Sequence, residues 1–333
     1  MSGDTTRVSP ARLTLACLIL ALLALGMVGL SIGSAGWQSP WHASTAAGLS
    51  QIVWEIRAPR TLGAMLVGAL LGLGGAVAQG LFRNPLAEPY LLGSSSGAAL
   101  GMALMLSFGM PDALISSTVG RMGLTGVAFV GAVSGVSLTL MLARGAAHTM
   151  RLLLGGVVVG VVLGALTQLL MVWSAPAWRI MQAFMLGHTA LLSWQACGVM
   201  AVVLCLTLPV AMALSRVLDA LSLGEDVART LGIPLGLTRA VLVGVLALST
   251  GAAVAQAGLV AFVGLAAPHL VRSRAGARHG ALLSLSALMG AVLLAAADVL
   301  SRLVLAPQEL PVGVLTAVLG GTYLLWLLHR RRA

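Results

Sequence analysis

Leu13-Thr14-Leu15-Ala16-Cys17-Leu18-Ile19-Leu20-Ala21-Leu22-Leu23-Ala24-Leu25-Gly26-Met27-Val28-Gly29-Leu30 is a run of eighteen residues without a single charge. Wound into an α-helix it measures about 27 Å, close to the roughly 30 Å hydrocarbon core of a bilayer. A second such run fills residues 199–214. The bias extends to the whole chain: of 333 residues, 59% are hydrophobic and 8% charged. Soluble domains carry about 25% charged residues, so a water-soluble fold could not cover this much apolar surface. In hydrocarbon only helices or closed barrels satisfy the backbone, and barrel strands alternate apolar with polar residues. Unbroken apolar runs therefore predict an all-α, polytopic membrane protein. The 41 glycines suit helices that approach one another closely.

About ten spans are expected in one transmembrane domain covering 1–333, near residues 12–30, 60–80, 92–109, 120–142, 152–173, 194–214, 238–255, 259–271, 280–300 and 312–328. The eighth is too short to cross as a straight helix, which is tolerated only where its ends meet protein or a cavity. Arg7 and Arg12 before the first run and Ser34-Ala35-Gly36 after it resemble a signal peptide. The run exceeds the usual apolar region of about 7–15 residues, so it is read as retained. With an even number of spans both termini share one side. Placing them inside puts 14 of the 19 basic residues inside, leaving Arg57, Arg60, Arg121, Arg179 and Arg302 outside. The positive-inside rule favours that orientation and accounts for the net charge of +10 without nucleic acid. Cys17, Cys197 and Cys205 lie inside apolar runs and read as packing residues, with no metal or disulfide spacing. The longest outer stretches are 31–57 and 174–193, and the longest inner loop is 215–238. Water-soluble machinery must therefore come from other chains.

Two inner loops carry signals. Leu223-Gly224-Glu225-Asp226-Val227-Ala228-Arg229-Thr230-Leu231-Gly232-Ile233-Pro234 reads as a short helix with marked ends. Acids open it, Glu225 and Arg229 stand at i,i+4, Gly232 suits a left-handed stop and Pro234 follows. Such a helix outside the membrane needs something to pack on; the bland alternative, lying on the bilayer, is disfavoured by its few basic residues. In the other loop, Arg83-Asn84-Pro85-Leu86-Ala87-Glu88-Pro89, two prolines forbid a continuous helix. It is either cavity-lining backbone or an ordinary interfacial turn.

Together with Arg57-Ala58-Pro59-Arg60-Thr61-Leu62, Leu152-Leu153-Leu154-Gly155-Gly156, Phe262-Val263-Gly264-Leu265-Ala266-Ala267-Pro268-His269, Ala296-Ala297-Asp298 and Glu309-Leu310-Pro311-Val312-Gly313, these motifs resemble one family over nearly the whole chain. It is the permease family of the iron-siderophore, haem and cobalamin importers, the type II ATP-binding-cassette importers. The resemblance implies ten spans in a bacterial inner membrane, a homodimer, two ATPase subunits on the cytosolic face and a soluble binding protein on the periplasmic face. ATP and Mg would be bound by the partner ATPase, and this chain would hold no cofactor or metal. Gly224, Glu225, Asp226 and Arg229 would couple to the ATPase. Asn84, Pro85 and Leu86, with Thr149 and Met150, would form the cytoplasmic gate; Met150 departs from the small hydroxyl residue the family often keeps there. Arg57 and Arg302, with Arg60 beside them, would grip the binding protein, although Asp298 at i−4 offers Arg302 a local partner instead. Gly156, Gly160 and Gly164 give one smooth helix face, which by periodicity is helix packing and by the resemblance lines the translocation path. His188 is either a haem contact or a solvated loop histidine. His269 reads as structural.

Two rival classes lack their chemistry. An ion-coupled transporter keeps acids near the midplane, yet all nine acids fall in loops or near span ends. A membrane enzyme needs a nucleophile, acid–base pair or metal motif within reach of substrate, and no span carries one. The sequence also has no Lys, so it cannot form a P-loop. Within the family haem is preferred on His188 and the methionines Met171, Met181 and Met185, followed by a ferric siderophore and then cobalamin.

Overall fold

Without water to bond, each apolar run must close its own backbone hydrogen bonds as a helix. The computed structural model describes residues 10–33, 36–37, 50–108, 118–145, 148–173, 175–276 and 278–330. Asp4, Arg7, Ser34, Ala35, Asp112, Arg331 and Arg332 lie outside the described residues. The chain runs through α1 (Pro10–Ser31), the two-residue strands β1 (Ile32–Gly33) and β2 (Gly36–Trp37), and a π-helical turn at Ile52–Arg57 that leads into α2 (Ala58–Phe82). Then follow α3 (Ser94–Ser107), α4 (Thr118–Leu142), α5 (Thr149–Trp173), α6 (Ala175–Leu186) and α7 (Trp194–Ala213). The remainder is α8 (Ser215–Ser222), α9 (Glu225–Thr230), α10 (Leu235–Ala257), α11 (Val263–Ala275), α12 (His279–Leu303) and α13 (Val312–Arg330). The strands pair antiparallel, Ile32 opposite Trp37.

Among the described residues seven helices are long and apolar enough to cross a membrane alone: α1, α2 with its π-helical turn, α4, α5, α7, α10 and α12. The shorter apolar helix α13 and the two half-length helices α3 and α11 stand where the other three crossings are expected. α2 is the axis. Its most apolar window is 83% buried, packed among α7, α10, α11 and α12, whereas that of α5 is only 28% buried. Small residues make this possible. A Cβ on Gly75 would stand 1.7 Å from the Gly264 carbonyl oxygen, so α2 and α11 touch backbone to backbone.

Both half-length helices have a non-helical approach segment, and the two segments meet. After Arg83 the chain turns back, and Pro89 lies against Gly264. The Tyr90 hydroxyl donates to the Val260 carbonyl at 3.1 Å, and the Phe262 N–H donates to Glu88 Oε1 at 3.3 Å. Each segment thus satisfies polar groups of the other. The broken stretch after α2 is therefore more than an interfacial turn: Ala87, Pro89 and Leu92 are buried in protein. Two helices were not foreseen. α6 occupies what reads as an outer loop, burying Met181 and Phe184. α8 opens the long inner loop, burying Leu218 and Leu221.

Candidate functional site

Polar chemistry collects at two separate ends. At one end stands Glu225, the first residue of α9. Its Oε1 accepts from the Arg239 guanidinium at 2.7 Å and from the Thr149 hydroxyl at 3.1 Å, with Arg83 at 3.7 Å. Its Oε2 lies 3.8 Å from Arg229, the i,i+4 partner expected from spacing. Arg239 is 1% exposed, so the carboxylate also answers a buried charge. Burial works to raise the Glu225 carboxyl. The hydrogen bond and charge of Arg239, with Thr149 and Arg83, outweigh it and leave the group below the ordinary carboxylate range. The Asp226 side chain is instead 97% exposed, with Arg229 at 3.4 Å. Gly224 caps the helix with φ 124, Gly232 ends it with φ 74, and Leu223, Val227 and Leu231 are exposed around it. Glu225 thus turns its carboxylate onto α10, the start of α5 and the end of α2, while the Asp226 and Arg229 side chains are exposed.

The proposed gate residues stand beside this cluster. Asn84, Pro85 and Leu86 are exposed directly after Arg83, with the Leu86 N–H donating to Asn84 Oδ1 at 2.9 Å to set the turn. Met150 is exposed directly after Thr149. The glycine row on α5 does not form one open wall. A Cβ on Gly156 would stand 2.1 Å from the Leu91 carbonyl oxygen, Gly160 lies near Ser96, and Gly164 has nothing within 4 Å. Gly156 is a packing residue, and the open face of α5 is aliphatic, with Val157, Val158, Val161 and Val162 exposed.

At the other end Asp298 is the hub. Arg60 Nε donates to its Oδ1 at 2.9 Å, the Thr189 hydroxyl donates to the same oxygen at 2.6 Å, and Arg302 pairs with Oδ2. Arg60 also meets Glu309 at 2.8 Å, and Arg302 donates to the carbonyls of Gly29 at 2.8 Å and Ile32 at 3.1 Å. Arg57 donates to the carbonyls of Leu30 and Ser31, both at 3.2 Å. Arg57, Arg60 and Arg302 are all buried. In this single chain their guanidiniums tie α1, α2 and α12 together and are turned inward. Arg302 takes the local Asp298 partner, and sequence spacing gave no sign of Arg60 reaching across from α2.

His188 sits near this end. Its N–H donates to the Ala257 carbonyl at 2.8 Å, and it lines a cavity of about 880 Å³ with Met102, Met122, Phe129, Trp194 and Gln256. Burial first, and the charge of Arg60 second, hold its imidazole below the ordinary range against the opposing pull of Glu309, favouring the neutral form. Met171 and Met181 are buried in the core and Met185 is exposed, and none of the three lines this cavity; Met102 and Met122 do. Among the described residues no group of three or more His, Cys, Asp or Glu is placed to hold a metal ion.

Relatives share this architecture. The chain is 39% identical over 321 residues to the hemin transport system permease protein HmuU of Yersinia pestis, covering 95% of this chain and 94% of that protein. It is 41% identical over 316 residues to the vitamin B12 import system permease protein BtuC of Escherichia coli, covering 94% of each. A solved metal-chelate type ABC transporter in an inward-facing conformation superposes with a TM-score of 0.85 at 28% identity, covering 96% of this chain and 99% of that one. The model of the FecCD transport family matches residues 14–330. The chain therefore belongs to the FecCD transport family, as an importer permease of the type II fold.

Proposed function

We propose that this chain is the channel of an importer that carries haem across a bacterial inner membrane from periplasm to cytoplasm. It works as a homodimer with two ATPase subunits on the Glu225 end and a soluble binding protein on the Asp298 end. The Glu225 end faces the cytoplasm with both termini, as the distribution of arginines favours. The observation that carries the reading is the outward face of α9. Leu223, Val227 and Leu231 are exposed around the Asp226 carboxylate, and no other described segment covers them. With no Lys for a P-loop, the energy source has to be a partner that seats there. The aliphatic faces of α5 and α13 are available to a second copy and to lipid.

Haem is supported by His188, a neutral imidazole able to ligate iron on the wall of the cavity. Cobalamin is the second reading, supported by the similarity to a vitamin B12 permease. The test is ATP-dependent uptake by the permease, its ATPase subunit and its binding protein reconstituted in vesicles, with haem, cyanocobalamin or a ferric siderophore outside. Haem uptake that falls in His188→Ala is expected, with no ATP hydrolysis by the permease alone. Uptake of cyanocobalamin but not haem would replace the substrate, and ATP turnover by the isolated chain would refute the importer reading.

A further inference from the structure

We infer that Glu225 is a positioning residue, an internal pin that joins the partner-docking helix to both gate segments. This rests on the importer reading above. One carboxylate gathers two hydrogen-bond donors, Arg239 on α10 and Thr149 at the start of α5, and two longer-range ion-pair partners, Arg83 at the end of α2 at 3.7 Å and Arg229 on its own helix at 3.8 Å. α9 has six residues, of which only Ala228 is buried. So short a helix does not hold itself, and one small apolar contact does little to anchor it. Charge-assisted hydrogen bonds are the strong class of polar tie, and here they meet at Glu225. The geometry also gives them direction. Arg83 is joined by a peptide bond to Asn84, which opens the first gate segment, and Thr149 to Met150, the second. A shift of α9 driven from outside moves both segments through the same carboxylate. Asp226, one residue on, has a 97% exposed side chain against 21% for Glu225. Adjacent acids thus divide the work, Asp226 facing the partner and Glu225 facing the gates.

The test uses the complete reconstituted importer and reads two quantities, co-purification of the ATPase subunit and substrate moved per ATP hydrolysed. Glu225→Gln keeps shape and loses charge. It is expected to retain the ATPase subunit while transport per ATP falls at least about tenfold, as befits the loss of hydrogen bonds to a charged group. Thr149→Val, which removes a single hydroxyl and is well tolerated sterically, should lower the same ratio more mildly, and Thr149→Ser should restore it. Asp226→Arg should instead lose the ATPase subunit. Wild-type transport per ATP in both Glu225→Gln and Thr149→Val would overturn the pin, as would loss of the ATPase subunit from Glu225→Gln, which would make Glu225 a docking contact. Failure of the importer reading is seen separately, as absent ATP-dependent uptake by the wild-type complex.

Discussion

Asp298 shows how much one buried carboxylate can hold. It is 1% exposed and serves Arg60, Arg302 and the Thr189 hydroxyl together. Removing one partner of a buried ion pair leaves an uncompensated charge, at a cost of about 3–5 kcal/mol. Asp298→Asn should therefore lower the thermal unfolding midpoint of the solubilised permease sharply, with Arg302→Gln behaving similarly. An unchanged midpoint in Asp298→Asn would mean that the arginines do not depend on it for the fold. At this scale the sequence was legible only where partners are close along the chain. Asp298–Arg302 and Glu225–Arg229 follow from i,i+4 spacing. Arg60–Asp298 and Thr149–Glu225 join residues far apart in sequence, and spacing carries no trace of them. That is also why Arg83 and Arg239 were not read as partners of Glu225.

Helices were far easier to read, because hydrocarbon demands continuous apolar length and composition reports it directly. The expected span at 152–173 is α5 (Thr149–Trp173), and that at 280–300 is α12 (His279–Leu303). α6 and α8 escaped because they are amphipathic and too short to span. Their signals were the turn-spaced apolar residues Ile180, Met181 and Phe184, and Leu218 with Leu221. The glycine row of α5 permits a sharp test of packing against path lining. Gly156→Ala forces a methyl group onto the Leu91 carbonyl, whereas Gly164→Ala meets nothing within 4 Å. Overpacking costs about 1–3 kcal/mol. Gly156→Ala should lower thermal stability by that order while Gly164→Ala leaves it unchanged. Equal stability in the two variants, with transport lost in both, would return the row to the translocation path.

For the molecule as a whole, the ten expected crossings correspond to segments that do not all suffice alone. α3 has 14 residues and α11 has 13, each preceded by non-helical chain, with Pro89 against Gly264 at the start of α11. The order of synthesis gives this contact a consequence for biogenesis. A helix of 13 residues is about 20 Å long, well short of the roughly 30 Å it would have to bridge. It also carries Arg272 and Arg274 in its last turn and Pro268 within. The insertion machinery, handling segments as they emerge, therefore has no reason to release α11 into lipid by itself. Nascent chains ending near residue 278 should leave α11 open to protease, and protection should appear only once α12 has followed and closed over α2. Protection of α11 before α12 is made would show that the half-length segment integrates without its neighbour. The contact between two half-length helices is thus also a rule of assembly: the segments that meet at Pro89 and Gly264 have to enter the membrane in company.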